Sequence, residues 1–487
     1  EGVNLGADAG RVVAVSIPAD AAAGSRVAVP TGAASPLGKP EVVVADHTSV
    51  VVSATDGADV RVPGAADGIL SRPNQPQFVR FRAKKGQPLV VEVLARRAGS
   101  PLDPVIEILD EAGKPVPRAV LRATAKTYTA FRDHDSAGGG IRIEAWNDLA
   151  IDDYIFADGE LMRILALPKN PDDDCQFYQV AGRRVGYLGT TPAHHAQGAP
   201  LYKVEVHPPG STFPPNGLPV FPIDYANDDG GAAFGKDSYL AFDPPADGVY
   251  QVRVSDARGE AGPTHAYRVT VRPPSPDFSV SFTPTALAVW KGGGVPITVT
   301  VARADGFDGP VGVRLEGLPP GFHAPATFVE AGHTTTAFTL FADADAPPPA
   351  AGQLKLVARA TIAGREVVRE ARGGTPKLSA AADIVTTTRS GEITLAPGRE
   401  TRFTVDVQRQ GKFAGRVPVE VRGLPHGVRV LDIGLNGILI TERETSREVV
   451  LYAEPWVKPA EHPIVISARH EGKNAEYAAK SVLLKVK

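Results

Sequence analysis

The sequence predicts an all-β, multi-domain protein made of tandem β-sandwiches, and three observations carry that prediction. Short Val/Ile/Leu/Thr runs alternate with polar residues at period two, while stretches with a 3.6-residue period are nearly absent. The 50 glycines and 44 prolines fall between those runs, where turns are needed. Third, the C-terminal half says nearly the same thing twice. Pro296-Ile-Thr-Val-Thr-Val301 is echoed by Arg402-Phe-Thr-Val-Asp-Val407, and the Gly309–Gly321 segment by Gly415–Gly427, both at an offset of 106 residues. Phe338–Ala342 and Val449–Ala453 keep step at 111. Such a period is too long for a solenoid repeat and fits sandwich domains of ~100 residues.

At 487 residues the chain has room for several such domains, and 43% hydrophobic content is enough to give each a core. Net charge is −3, from 52 basic and 55 acidic residues without a polybasic run, so neither nucleic acid nor an anionic membrane surface finds an electrostatic footprint. No 18-residue apolar stretch is present, which excludes a membrane span within this sequence. A start at Glu1 fits either a chain trimmed of a signal peptide or a piece of a longer protein. With Cys175 the only cysteine, an internal disulfide is impossible. A buried free thiol is expected there, with intermolecular pairing the alternative, and bound cations are possible stabilisers.

In chain order, residues 1–45 read as a partial Ig-like sandwich with strands over 12–17, 26–29 and 41–44. Three strands bury little by themselves, so this segment has to pack on a neighbouring domain or another chain. Short strands over 49–53 and 59–62 lead into clean alternation over 78–82, 89–94 and 105–109, where the turn Asp110–Gly113 closes a hairpin. The same style resumes over 238–242, 248–254 and 266–271.

Phe78-Val-Arg-Phe-Arg-Ala-Lys-Lys-Gly-Gln87, Gly99-Ser-Pro-Leu-Asp-Pro104, Asn227-Asp-Asp-Gly-Gly231, Lys236-Asp-Ser238 and Asp247-Gly-Val-Tyr-Gln-Val-Arg-Val254 occur in order, and together they resemble the bacterial pre-peptidase C-terminal (PPC) domain. That family is a small β-sandwich appended to secreted proteases and to large surface proteins of environmental bacteria. The resemblance implies one sandwich over 46–117 plus 224–273, and an extracellular or cell-surface location. An ordinary member runs directly from the Asp110 hairpin to the Asn-Asp-Asp turn. Here a β-rich domain over 118–223 intervenes, with strands over 140–145, 161–167 and 201–206. It holds Asp133-His-Asp135, Asp152-Asp153, Asp172-Asp-Asp174 and His194-His195, and insertions at loop tips often carry function. The repeated pair, 276–373 and 377–487, resembles the Ig-like domains of bacterial surface proteins. Its Gly-Leu-Pro-Pro-Gly and Gly-Leu-Pro-His-Gly motifs sit between predicted strands as turns. Trp290 and Trp456 are expected in core or inter-domain packing.

Calcium is the best-motivated ligand. Asp103, Asn227, Asp228, Asp229 and Asp237 fall in loops that the sandwich reading brings to neighbouring strand ends, and Ca²⁺ takes six to eight hard oxygens of this kind. The plain alternative is a solvated acidic turn whose Asn and Asp cap backbone amides. Asp172–Asp174 is a second acidic candidate. Asp133-His-Asp135 would need His194, His195 or His207 nearby to hold zinc, and no spacing enforces that. No nucleophile elbow, Walker loop or dinucleotide glycine loop is present, so the chain reads as non-catalytic. Aromatic residues concentrate in the insert, where Trp146 and Tyr187 are candidate glycan contacts and core packing is the competing explanation.

The expected function is therefore a non-catalytic extracellular structural or adhesive protein, calcium-stabilised and self-assembling through unpaired strand edges. Its expected partners are copies of itself, surface proteins or glycans. A carbohydrate-binding or substrate-targeting module and an accessory region of a secreted peptidase are the alternatives.

Overall fold

The computed structural model describes residues 15–22, 24–30, 41–45, 47–53, 55–350, 352, 354–380, 382–431 and 437–487, together with the backbone of 2–3 and 35–36. Residues 12–14 of the first expected strand lie outside this set. Among the described residues the fold is all-β, with helix confined to the single turns Arg96–Ala98 and Gly231–Phe234. The chain forms two compact units, one of 1–118 with 224–274 and one of 119–223 with 275–487.

The first unit is a sandwich of two five-stranded sheets. One sheet runs in the order Ala226–Asn227, Pro104–Asp110, Gly248–Asp256, Gln77–Ala83 and Ala58–Val60. The other runs Tyr239–Phe242, Leu89–Leu94, Ala266–Arg272, Gly64–Ile69 and Ser49–Val51. Period-two alternation is what lets these strands share a core. In Gln77–Ala83, Val79, Phe81 and Ala83 point inward, while Val252 and Val254 do so from the neighbouring Gly248–Asp256. Each fully buried Val, Leu or Phe contributes roughly 1.5–3 kcal/mol relative to exposure. Near the N-terminus, Arg26–Ala28 pairs antiparallel with Glu41–Val43, and Arg26 donates to the Arg97 carbonyl at 2.9 Å.

In the second unit, residues 119–223 supply most of a seven-stranded sheet ordered Gly140–Ile141, Cys175–Phe177, Glu160–Ala166, Tyr154–Ala157, Pro200–His207, Pro117–Tyr128 and Val220–Asp224. Successive residues feed opposite faces: Ile155 and Met162 enter one apolar cluster, Phe156 and Leu161 the other. Cys175 is fully buried in the first of these, as a free thiol.

The two repeats are sandwiches with separate cores, one around Ile297, Val299 and Phe338, the other around Val405, Leu451 and Ile464. Equivalent strands, Gly293–Ala304 and Glu400–Arg409, hold equivalent places opposite Thr335–Ala342 and Ser446–Ala453. The repeats are also joined. Gly294 pairs with Ala478, which makes one ten-stranded sheet across both sandwiches. A Cβ at position 294 would stand 2.4 Å from Thr339 Cγ2 and 3.0 Å from the Leu340 carbonyl oxygen, so the crossing requires glycine. Trp290, from the first repeat, packs on the second repeat's core with its ring 4.6 Å from that of Tyr477.

Candidate functional sites: a carboxylate cluster and a histidine-lined cleft

The first site lies in the first unit and follows from strand register. Ile106 pairs with Asn227 and Glu107 with Ala226, so the residue entering one strand stands beside those leaving the other. Asp103, Asp228 and Asp229 meet there, each presenting a carboxylate oxygen within 4.8 Å of the others. Asp103 is fixed by its backbone, whose N–H donates to Asp256 Oδ2 at 2.9 Å and whose carbonyl accepts from Ala257 at 2.8 Å. Its Oδ1 is buried and accepts no hydrogen bond among the described residues. Asp229 is 4% exposed, and Lys236 Nζ lies 3.1 Å from its Oδ2. Three carboxylates this close repel one another, and Lys236 offsets part of that charge at Asp229. The donors are all hard oxygens, which suits Ca²⁺ or Mg²⁺ and not zinc.

The other two expected ligands are engaged elsewhere. Asp237 is fully buried beneath the Arg96–Ala98 turn, accepting from the backbone N–H groups of Ala95, Arg96 and Arg97 and from Arg97 Nε at 2.7 Å. Asn227 Oδ1 accepts from Tyr239 N at 2.7 Å, and its Nδ2 donates to the Asp229 carbonyl. Gly230 is needed for close packing, because a Cβ there would stand 2.5 Å from the Asp237 carbonyl oxygen.

In the insert, the polar residues serve the fold. Backbone bonds in both directions join His134 to His195, yet their rings face different partners. His134 Nε2 accepts from Arg142 N at 3.3 Å, whereas His195 Nε2 lies 2.7 Å from Glu160 Oε2. His194 stands 3.9 Å from Asp133 on the surface, and His207 meets Glu205 at 3.3 Å. Asp135 Oδ1 caps Ala137 N. Asp174 binds Arg132 and Arg142, and Asp173 accepts from Lys169 N, so the acidic run is an arginine-paired turn. Trp146 packs against the insert's first apolar cluster and Tyr187 against its second. Burial pushes the Tyr187 phenol up to about 12.

The second site is a cleft of about 600 Å³ within the second unit, lined by the insert and both repeats. Four rings form a ladder beside it. Tyr178, His333, His426 and Trp456 follow one another with centroid separations of 5.2, 4.5 and 5.1 Å. Tyr178 is 4% exposed and Trp456 49%. Asp152 ties the ladder to the insert: His426 Nε2 donates to its Oδ2 at 2.8 Å, Tyr178 donates to its Oδ1 at 3.0 Å, and Arg163 Nη2 lies 3.0 Å from Oδ1. Burial raises the Asp152 pKa, but these partners outweigh it and hold the carboxyl below its ordinary value. His333 is pulled down to about 4, chiefly by burial and then by the neighbouring His426. Glu330 Oε2 accepts from His426 N at 2.8 Å, and its Oε1 stands 3.8 Å from Nε2 of the buried His462.

Sequence reasoning singled out Asp152 and Trp456 but not this cleft. Its one sequence signal is the single position at which the repeated Gly-Leu-Pro-x-Gly motif differs, Pro320 in the first copy and His426 in the second. The glycines at both ends of both copies hold positive φ, 76° and 75° at Gly317 and Gly321, 72° and 80° at Gly423 and Gly427. The turn is thus shared, and the side chain at its fourth position is not.

No protein-family model matches the chain, and no curated protein matches it. Among solved structures, a protein of unknown function from Porphyromonas gingivalis W83 aligns at 14% identity over 43% of this chain and 99% of its own, with a TM-score of 0.16. The fibronectin(III)-like modules of Clostridium thermocellum CbhA align at 15% identity over 42% of this chain and 92% of theirs, with a TM-score of 0.15.

Proposed function

We propose that this chain is a non-catalytic structural or adhesive protein of the bacterial cell surface, whose PPC-like sandwich is stabilised by Ca²⁺ held at Asp103, Asp228 and Asp229. The observation that carries the calcium reading is the approach of these carboxylates to within 4.8 Å of one another, together with Asp103 Oδ1, a buried oxygen with no hydrogen-bond donor among the described residues. A divalent cation would relieve both the mutual repulsion and the missing contact. The scaffold reading rests on the architecture, in which sandwich follows sandwich and the repeats share a sheet. The glycan-targeting alternative loses its first candidates, because Trp146 and Tyr187 pack into the insert's own clusters.

The test is thermal melting and light scattering in Ca²⁺ and in EDTA, with calorimetric titration of Ca²⁺. At 100-fold excess over Kd, a ligand specific to the folded state adds about 2.7 kcal/mol, worth roughly 5–10 °C in a unit of this size. Asp103→Asn should abolish that shift. A protein that neither binds Ca²⁺ in the calorimeter nor melts differently in EDTA would remove the calcium reading. Chains that stay monomeric at high concentration in both buffers would remove self-assembly.

A further inference from the structure

The cleft of the second unit has the volume of a small-ligand site and a lining with no excess of either charge. Three acids, Glu330, Glu420 and Glu454, face three bases, Lys169, Arg422 and Arg429. Most of these are already paired: Arg422 with Glu420 at 2.8 Å, Arg429 with Glu454 at 3.2 Å. Such a lining does not select an anion or a cation. What remains unsatisfied is more specific. Among the described residues nothing donates a hydrogen bond to Glu330 Oε1, and the Glu330 side chain is 28% exposed. His462, 2% exposed, keeps an Nε2 without a hydrogen-bond partner 3.8 Å away. That separation is too long for a direct bond. A hydroxyl oxygen between the two donates to the carboxylate and accepts from the imidazole, in the tautomer with its proton on Nε2. An amide nitrogen can serve only the first. At the far end of the ring ladder Trp456, half exposed and 5.1 Å from the cleft-lining His426, offers an apolar face to C–H surface.

We propose that this cleft binds a neutral, polyhydroxylated ligand, a short glycan segment, with Glu330 accepting a sugar hydroxyl and Trp456 packing on a sugar face. The proposal does not depend on calcium, whose residues belong to the other unit.

The experiment is titration of the full chain with cellotetraose, maltotetraose, xylotetraose and chitotetraose, read by tryptophan fluorescence and by calorimetry. A proline-rich peptide serves as the competing probe. The expected result is saturable binding of at least one sugar, weakened tenfold or more by Glu330→Gln and by Trp456→Ala. Trp456 is half exposed, so its replacement should leave the melting temperature within a degree or two of wild type, separating lost binding from lost fold. Saturation by none of the four sugars overturns the proposal. So does binding that survives both substitutions, or binding of the peptide alone.

Discussion

Glu160 and Arg184 form a two-pronged ion pair, 2.9 Å from Nε to Oε1 and 3.0 Å from Nη2 to Oε2, and neither side chain is exposed to solvent. Further bonds surround the pair. Arg184 also donates to the carbonyls of Asp135, Gly138 and Ala193, while Glu160 Oε2 takes the Ala193 N–H and lies 2.7 Å from His195 Nε2. The pair pins the loops carrying Asp135 and Ala193 to the Glu160–Ala166 strand.

Removing one partner leaves an uncompensated buried charge, so Glu160→Ala should destabilise the protein by about 3–5 kcal/mol. Replacing both residues with Met and Leu should recover only part of that loss, because the carbonyls of Asp135, Gly138 and Ala193 and the Ala193 N–H lose their partners. Denaturant unfolding at neutral pH checks both outcomes. A loss below 1 kcal/mol for the single variant would mean that water reaches the site and solvates Arg184.

Stability should fall as pH drops from about 6.5 to about 4. The ordinary His value is 6.5 and His333 is held near 4 when folded, so over that window the unfolded chain takes a proton that the folded chain refuses. The groups facing His333 are Tyr178, His426, Asp152, Arg163 and Arg303, and only Asp152 favours the charged ring. The loss attributable to His333 approaches about 3 kcal/mol. His134 and His462, also lowered by burial, add to the same slope. Asp152 acts in a different window, because its depressed pKa adds stability above the ordinary carboxylate value that is lost only below it. Melting curves from pH 7 to 4 on wild type and His333→Phe isolate the His333 share, since phenylalanine keeps the ring and removes the proton. Identical slopes would contradict the assignment.

Lys236 competes with a cation for Asp229. If Ca²⁺ binds as proposed, Lys236→Gln should tighten it several-fold and should lower the melting temperature in EDTA, where the ammonium no longer offsets Asp229. An unchanged calcium affinity would place the ion away from Asp229.

Cys175 should resist thiol reagents in the folded protein. It is fully buried, its Sγ lies 3.6 Å from the Ala166 carbonyl oxygen, and burial pushes its thiol well above the ordinary range. Ellman's reagent should read no thiol per chain natively and one after denaturation. Fast labelling of the folded chain would show that this strand opens readily.

The all-β fold was legible because strand periodicity is local: Leu89–Leu94 and Gly248–Asp256 announce themselves in a few residues. The repeat was legible for the same reason. The carboxylate site was legible in part. Loop acids were visible, but their division of labour depends on pairing. Asp237 leaves the cluster because Tyr239–Phe242 pairs with Leu89–Leu94, which sets it under the Arg96–Ala98 turn some 140 residues earlier in the chain. The cleft was hidden by sequence distance. Asp152 and His426 stand 274 residues apart and share a 2.8 Å hydrogen bond, and nothing local to either predicts the other. The insert's aromatics were visible as a concentration, but composition does not say which side of a sheet a ring takes. Trp290 packs on the core of the second repeat, within the expected range, whereas Trp456 lies over Gly427 and stays half exposed.

The pairing of Gly294 with Ala478 has a mechanical corollary. A string of sandwiches joined only by linkers yields to tension one bead at a time, and each bead can melt alone. Here the pairing of Gly294 with Ala478 crosses the joint, and Ala337, Val465 and Ala478 form one apolar cluster. Under load the two repeats should share force as a single girder, unfolding in one step at roughly twice the contour length of one repeat. Gly294→Val, which wedges the joint apart, should turn that one step into two.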